Sequence, residues 1–431
     1  MKINIPESDQ ERIVIVGGGF GGLTLARLLK KQNYQVVLID KNNYHQFQPL
    51  FYQVAMAGLE PSSIAFPLRK AFQGEKNVFI RVTEVERVDT EKKQLHTPLG
   101  FCNYDHLILA IGADTNFFGN EEIARKALPM KSVSEALHLR NRILTDFEIA
   151  LSVTEYERRQ QLIDIVIVGG GPTGVEVAGA LAEMKRYVLP KDYPQLDTDE
   201  IDIHLVEGAD RLLLGMSDEA SQKALEFLEG LDVKVRFNTM VTGFDGENAM
   251  LSDKTQIPAH KLIWAAGVIG NKMPGLPRDS VVKGNRLKVD RFNIVEGTDS
   301  VYAIGDIAFM EEEDYPKGHP QVAQAAMQHA KHLAGNLKRL QKGEKMEPFS
   351  YKDLGSMATI GRNRAVADLP GFKFQGAFAW LIWLFVHLFQ ILGVKNKVFI
   401  FINWVWNYLT YDQSLRLIIR PKKDPAEVAK Q

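Results

Sequence analysis

The chain has 431 residues, 45% hydrophobic and 24% charged, with 52 basic side chains against 53 acidic ones. That length exceeds one ordinary core and suits two or three domains, while the balanced charge offers no basic field for nucleic acid, so none is expected as a partner. A single cysteine, Cys102, excludes an internal disulfide, a C-x-x-C redox pair and a cysteine zinc cluster; it fits a reducing compartment, and no metal site is expected.

Met1 to Arg12 is polar, with no apolar stretch of the kind that opens a secretory signal. The apolar run Ile13-Val14-Ile15-Val16 then meets Gly17-Gly18-Gly19-Phe20-Gly21-Gly22 and a helical pattern, and Val36-Val37-Leu38-Ile39 ends in Asp40. This reads as strand, tight turn, helix and acid-tipped strand. Gly17 permits the turn, Gly19 leaves room for a pyrophosphate on the helix N-terminus, and an acid such as Asp40 accepts from a ribose. A polar-aromatic stretch, Asn43 to Gln53, follows, then a strand-rich part ending Leu107-Ile108-Leu109-Ala110-Ile111-Gly112.

The pattern recurs. Ile165-Val166-Ile167-Val168 leads into Gly169-Gly170-Gly171-Pro172-Thr173-Gly174; Ile203-His204-Leu205-Val206 ends in Glu207; and Leu262-Ile263-Trp264-Ala265-Ala266-Gly267 repeats the closing run. The proline-marked stretch Leu189 to Pro194 puts Glu207 unusually far from Gly174. One such glycine motif often marks only a close helix–strand crossing, but two with matching strands, helices and acids predict two dinucleotide sites. The expected fold is α/β, with two Rossmann-like domains: residues 1–115 with 291–345, and residues 116–290 inserted between them. Further on, Val301-Tyr302-Ala303-Ile304 runs into Gly305-Asp306, and Pro320 precedes a helical pattern from Gln321 to about Leu340, proline suiting a helix start.

The last ninety residues change character. Phe374 to Val394 carries no Asp, Glu, Lys or Arg; Lys395-Asn396-Lys397 interrupts; Val398 to Tyr411 is apolar and aromatic again. The first stretch is long enough to span a bilayer, the second too short to return. Asn403, Asn407 and Thr410 fall on one helix face, and Lys395, Lys397, Arg416, Arg420, Lys422 and Lys423 flank the apolar parts. An amphipathic pair lying on the lipid bilayer surface fits better than a double span. A buried homodimer interface is the other reading, and the two are compatible. His387 is expected to pack, not to ligate.

Together, the paired fingerprints, the Tyr302–Asp306 run, Ala323-Gln324-Ala325-Ala326-Met327-Gln328 and the aromatic segment Asn403–Asp412 resemble the type II NADH dehydrogenases over essentially the whole chain. The resemblance implies a membrane-surface, non-proton-pumping NADH:quinone oxidoreductase, peripheral on the cytoplasmic face of the inner membrane, with FAD on the first fingerprint and NADH on the second. It assigns Gly17, Gly19, Gly22, Asp40, Lys41, Gly112 and Asp306 to FAD, and Gly169, Gly171, Gly174, Glu207 and Gly267 to NADH. Gln48 to Gln53 resembles the family's segment beside the flavin ring. Gln324 and Gln328, one turn apart, are implied at the quinone with Gly355–Arg362 as a wall, and residues 346–431 form the quinone-site and anchoring region. Glu176, read in the helix's first turn, is open between stabilising the helix dipole and a catalytic place near nicotinamide and flavin. Glu207 favours NADH over NADPH, with Arg211 near enough in sequence to offset it.

A lone cysteine argues against disulfide reductases and sulfide:quinone reductases, and the apolar tail against a ferredoxin reductase. A membrane-docked flavoprotein that senses NADH or binds partners, as in the apoptosis-inducing-factor type, is the alternative of another class. Recognition of a carbonyl and an apolar tail leaves ubiquinone and menaquinone both open.

Overall fold

The computed structural model describes residues 1–412 and 415–419, so Arg420, Lys422 and Lys423 lie outside the described residues. The chain divides into two compact units, the first of residues 1–46, 65–114 and 268–354, the second of 47–64, 115–267 and 355 onward.

In the first unit, five parallel strands lie in the order Val301–Ala303, His106–Leu109, Arg12–Val16, Gln35–Asp40, Val78–Val82. Val14 stands opposite both Val37 and Leu107. Ile13, Val14 and Ile15 are fully buried, as expected where helices and loops cover both faces of a parallel sheet and the strands read as unbroken apolar runs. The second unit repeats this order with Leu128–Pro129, Lys261–Trp264, Ile165–Val168, Ile203–Val206 and Val233–Arg236, again all parallel. Each unit adds a three-stranded antiparallel sheet, residues 87–103 in the first and 241–258 in the second. The fold is thus α/β with two Rossmann-like units, the second inserted in the first.

The units depart from the expected segmentation. Residues 268–290 group with the first unit because Leu287 and Val289 enter its core beside Val301 and Ala303. The C-terminal region, expected to stand separately, groups with the second. There the strands Ser356–Gly361, Arg364–Leu369 and Phe372–Gln375 form an antiparallel sheet against the helix Pro172–Tyr187. A Cβ on Gly179 of that helix would lie 2.0 Å from the Ile360 carbonyl oxygen, so glycine is what lets helix and strand approach.

Three helix boundaries also move. The helix after Pro320 runs Ala323–Gln341 with Val322 as its N-cap, because Val322 is extended and its N–H turns back to the Pro320 carbonyl. Phe374 belongs to a strand, which shortens the apolar helix to Ala377–Gln390. The second helix runs Val394–Thr410, straight through the Lys-Asn-Lys triplet, whose charges lie at its start. No helix among the described residues is long and apolar enough to cross a membrane.

Candidate functional site

The two glycine loops have the same geometry. Gly19 and Gly171 are the N-caps of helices Phe20–Leu29 and Pro172–Tyr187, and neither helix has a side chain capping its first N–H groups. A Cβ on Gly22 would fall 1.8 Å from the Gly17 carbonyl, and one on Gly174 1.8 Å from that of Gly169, whereas Cβ atoms on Gly19 and Gly171 would meet nothing within 4 Å. The third glycine of each loop therefore closes the helix onto the strand, and the second opens space before N–H donors that no side chain caps and the positive helix end. That is the arrangement a pyrophosphate needs.

The two acids also match. Asp40 accepts from Gly18 N at 2.6 Å and from Asn42 N at 2.6 Å, and Glu207 accepts from Gly170 N and, at 2.8 Å, from Ala209 N. Each carboxylate braces its own loop and keeps lone pairs for a ribose. Burial pushes Asp40 above the usual carboxylate range, against the pull of the Gly18 and Asn42 N–H groups and the Lys41 charge. Arg211 pairs with Asp218 and donates to the Leu214 carbonyl, so its guanidinium is engaged away from Glu207. Gly112 and Gly267 both take a left-handed φ, +67° and +72°, just after the closing strand of their sheets.

In the first unit the Gly305–Asp306 turn follows the strand Val301–Ala303 directly. A Cβ on Gly21 would contact Ile304 at 3.3 Å and the Ala326 carbonyl at 3.5 Å, so the glycine helix packs closely on the turn and on the helix Ala323–Gln341. Gln324 and Gln328 share a face of that helix, as their spacing requires. Their amides are engaged with a neighbouring segment: Gln324 bonds Asp353 Oδ1 at 3.3 Å and the Leu354 N–H at 3.0 Å, and Gln328 bonds the Lys352 carbonyl at 2.8 Å and its N–H at 3.1 Å.

The second unit holds a cavity lined by residues already singled out in the sequence, Tyr52, Glu176, Thr359 and Arg362, and by two that were not, Glu183 and Trp383. Glu176 lies in the second turn of its helix, not the first, which removes it from the dipole-stabilising position. It faces the C-terminal sheet, where burial pushes its carboxyl up to about 8 against the lowering effect of the Thr359 N–H and the Trp383 indole. Glu183, two helical turns further on, accepts from the Arg362 N–H at 2.5 Å and is also raised by burial. The spacing of Glu176 and Glu183 at i, i+7, with Gly179 and Ala180 between them, was the available signal. Arg362 stacks over Tyr411 at 3.3 Å and Tyr408 at 4.8 Å. From the Gly355–Arg362 run, Thr359, Gly361 and Arg362 reach the cavity, and from the Gln48–Gln53 stretch, Tyr52 and Gln53 do.

The two C-terminal helices complete this wall with an inverted polarity. Along Val394–Thr410 the polar side faces the protein. Asn396 donates to the Ser62 and Ser63 carbonyls, Trp404 to Gln53 at 2.8 Å and Asn407 to the Gly58 carbonyl at 3.3 Å, while Ile400 is fully buried. The apolar side is bare: Val398, Phe399, Ile402, Trp406 and Leu409 are half or more exposed. In Ala377–Gln390, Phe378, Leu381, Phe385 and Phe389 form a second exposed stripe, each above 55%. Burying such side chains yields roughly 1.5–3 kcal/mol each. His387 packs as expected, stacked on Trp383 at 4.0 Å with Nδ1 2.7 Å from its carbonyl.

Residues 11–330 match the pyridine nucleotide-disulphide oxidoreductase family, and residues 354–411 match the NDH2 C-terminal domain. Two Mycobacterium tuberculosis proteins, type II NADH:quinone oxidoreductases Ndh and NdhA, are 36% and 35% identical to this chain. Their alignments span 93% and 92% of it and 89% and 86% of the relatives. The solved structure of NDH2 from Plasmodium falciparum in complex with NADH superposes with a TM-score of 0.87 at 23% identity, covering 95% of this chain and all of that one, and so shares the fold.

Proposed function

Because the chain belongs to the type II NADH:quinone oxidoreductases and is an FAD-dependent NADH:quinone oxidoreductase, we propose a division of work between its units: the first holds FAD, and the second holds NADH and receives the quinone. FAD, when bound, takes a hydride from NADH and passes two electrons to the quinone. The uncapped helix at Gly19 with Asp40 and Lys41 holds the pyrophosphate and ribose of FAD, and the Gly305–Asp306 turn, present in this unit, holds its ribityl end. The matching helix at Gly171 with Glu207 holds NADH. The carboxylate repels a 2′-phosphate, and Arg211, committed to Asp218, does not offset it.

Quinone reduction by NADH consumes one proton from water per turnover, the second hydrogen arriving with the hydride. Glu176 supplies that proton from its carboxyl oxygen. It is neutral below pH 8, and it sits in a cavity walled by the helices whose exposed aromatic stripes bury into a lipid surface. The single observation that carries this reading is the inverted polarity of Val394–Thr410, polar toward the protein and apolar toward the outside, beside a cavity lined by a buried acid. Lys395 and Lys397 at the start of that helix add attraction for anionic headgroups. The enzyme sits peripherally on the cytoplasmic face of the inner membrane. A homodimer would cover part of the same apolar surface, and light scattering in detergent measures it.

Ala180 lines the cavity, and Ala180→Phe fills it. Flavin reduction by NADH, followed by stopped flow, should be unchanged while quinone reoxidation slows. An unchanged quinone step would remove the cavity from the reaction path.

A further inference from the structure

Two buried histidines that no step above uses stand behind the Gly305–Asp306 turn, the outer one near an acid. His319 and His329 are each 1% exposed, and His319 Nδ1 lies 3.0 Å from His329 Nε2. His329 Nδ1 accepts from the Gly305 N–H at 3.2 Å. Hydrogen-bond chemistry then fixes every proton in the chain. An Nδ1 that accepts is bare, so a neutral His329 carries its proton on Nε2 and donates it to His319 Nδ1; His319 is in turn protonated on Nε2. That nitrogen lies 3.4 Å from Glu312 Oε1, itself 3.4 Å from Arg291 Nη2. Burial and the neighbouring His319, Arg286 and His332 hold His329 down at about 3, so the neutral form is the working one.

The turn needs this chain. Its strand ends at Ala303, Gly305 takes a left-handed φ of +73°, and its buried N–H has no ladder partner left. A buried N–H left unpaired loses its hydrogen bond to water with nothing in return, so the turn is destabilised without an acceptor. From the other side Gln321 donates to the Asp306 carbonyl at 3.0 Å, so the turn is gripped at both ends. The acceptor cannot drift. The His329 ring is tied to His319, whose own ring lies 5.1–5.5 Å from those of Tyr315, Phe349 and Tyr351, and the His319 carbonyl receives Arg286 Nη2 at 2.9 Å.

We propose that His329 is a positioning residue for the flavin dinucleotide: the chain Gly305–His329–His319 holds the Gly305–Asp306 turn in the conformation that receives the cofactor. This rests on the reading of that turn as the FAD seat. The test is FAD titration of the full-length apoprotein, followed by quenching of flavin fluorescence. Asparagine places an amide oxygen near the Nδ1 position, whereas leucine fills the space without an acceptor. His329→Leu should weaken FAD by about tenfold or more, and His329→Asn by less than about threefold. Should the leucine variant fail to fold, His329→Gln carries the test: its amide reaches only the Nε2 position, so it should fall with leucine.

Equal affinities for the leucine, or glutamine, variant and the parent overturn the proposal. So does an equal loss in the asparagine variant, which would mean that ring volume and not the acceptor matters. Asp306→Ala separates the two readings. If it leaves FAD affinity unchanged, the turn is not the cofactor seat and the reading beneath the proposal fails. If it weakens FAD while His329→Leu does not, only the positioning role fails.

Discussion

Both units carry a parallel sheet in the same strand order, a helix that starts on an uncapped glycine, and an acid tied back to the glycine loop, yet each glycine helix is met by a different partner. In the first unit Gly21 faces Ile304 and Ala326, so the Gly-Asp turn and the helix Ala323–Gln341 close on it. In the second, Gly179 faces Ile360, and a three-stranded sheet closes on it, bringing Thr359 and Arg362 to Glu176 and Glu183. The repeated half gives both units the same glycine loop and braced acid, and a later segment makes the units differ. It supplies a clamped turn in one and an acid-lined cavity beside bare apolar helices in the other.

The largest effects should come from breaking the shared half. In Gly22→Ala and Gly174→Ala the new Cβ would stand 1.8 Å from a backbone carbonyl oxygen, which the backbone must move to relieve. The first should lose flavin, measured as the absorbance ratio of flavin to protein. The second should keep flavin and lose about 10²-fold or more in the rate of its bleaching by NADH. Flavin loss in both would break the assignment of one cofactor to each unit.

Glu176→Gln acts on what differs. It should lower quinone turnover by about 10²-fold, the usual contribution of a positioned acid, with flavin reduction by NADH little changed. The parent's turnover should fall as pH rises through about 8, where Glu176 loses its proton, and the variant should lack that limb. Stability gives a second sign. The folded carboxyl titrates near 8 and the unfolded one near 4.5, so between those values the native state binds the extra proton and stability declines as pH rises. The melting temperature of the glutamine variant should therefore gain on the parent from pH 5 to pH 8. A constant difference would contradict the buried, neutral acid.

Charging the bare helices tests the same contrast from outside. Phe385→Glu with Trp406→Glu, both at exposed positions, should weaken binding to anionic vesicles by about 10²-fold in a flotation assay. Reduction of a soluble artificial acceptor should persist. Undiminished flotation would remove this face from lipid contact. The smallest effect is expected at Glu207→Gln. Removing the charge should raise flavin reduction by NADPH relative to NADH by about tenfold, since like-charge repulsion of the 2′-phosphate disappears while the amide oxygen can still accept from a loop N–H. An unchanged ratio would mean that nucleotide choice lies elsewhere.

Much of the fold was legible because parallel strands buried on both faces write themselves as apolar runs, and because a turn that brings a helix against its own strand admits only glycine. Those two constraints act within single runs and turns, so the central strands, both loops and both acids could be read from local sequence. The cavity could not. Glu183 and Trp383 are far apart in the chain and individually ordinary; they line one cavity because Gly179 lets a late strand approach an early helix. Nor could the sequence tell that the amides of Gln324 and Gln328 hold residues 352–354, or which side of Val394–Thr410 faces the protein. An amphipathic pattern specifies two faces but not which of them finds a partner. Here carbonyls at Gly58, Ser62 and Ser63 and the amide of Gln53 take the polar one. The sequence by itself determined two dinucleotide-binding units and their order, since local backbone sterics and strand burial demand particular residues; tertiary packing alone decided that one unit gains a clamped turn and the other a buried acid beside an exposed apolar face.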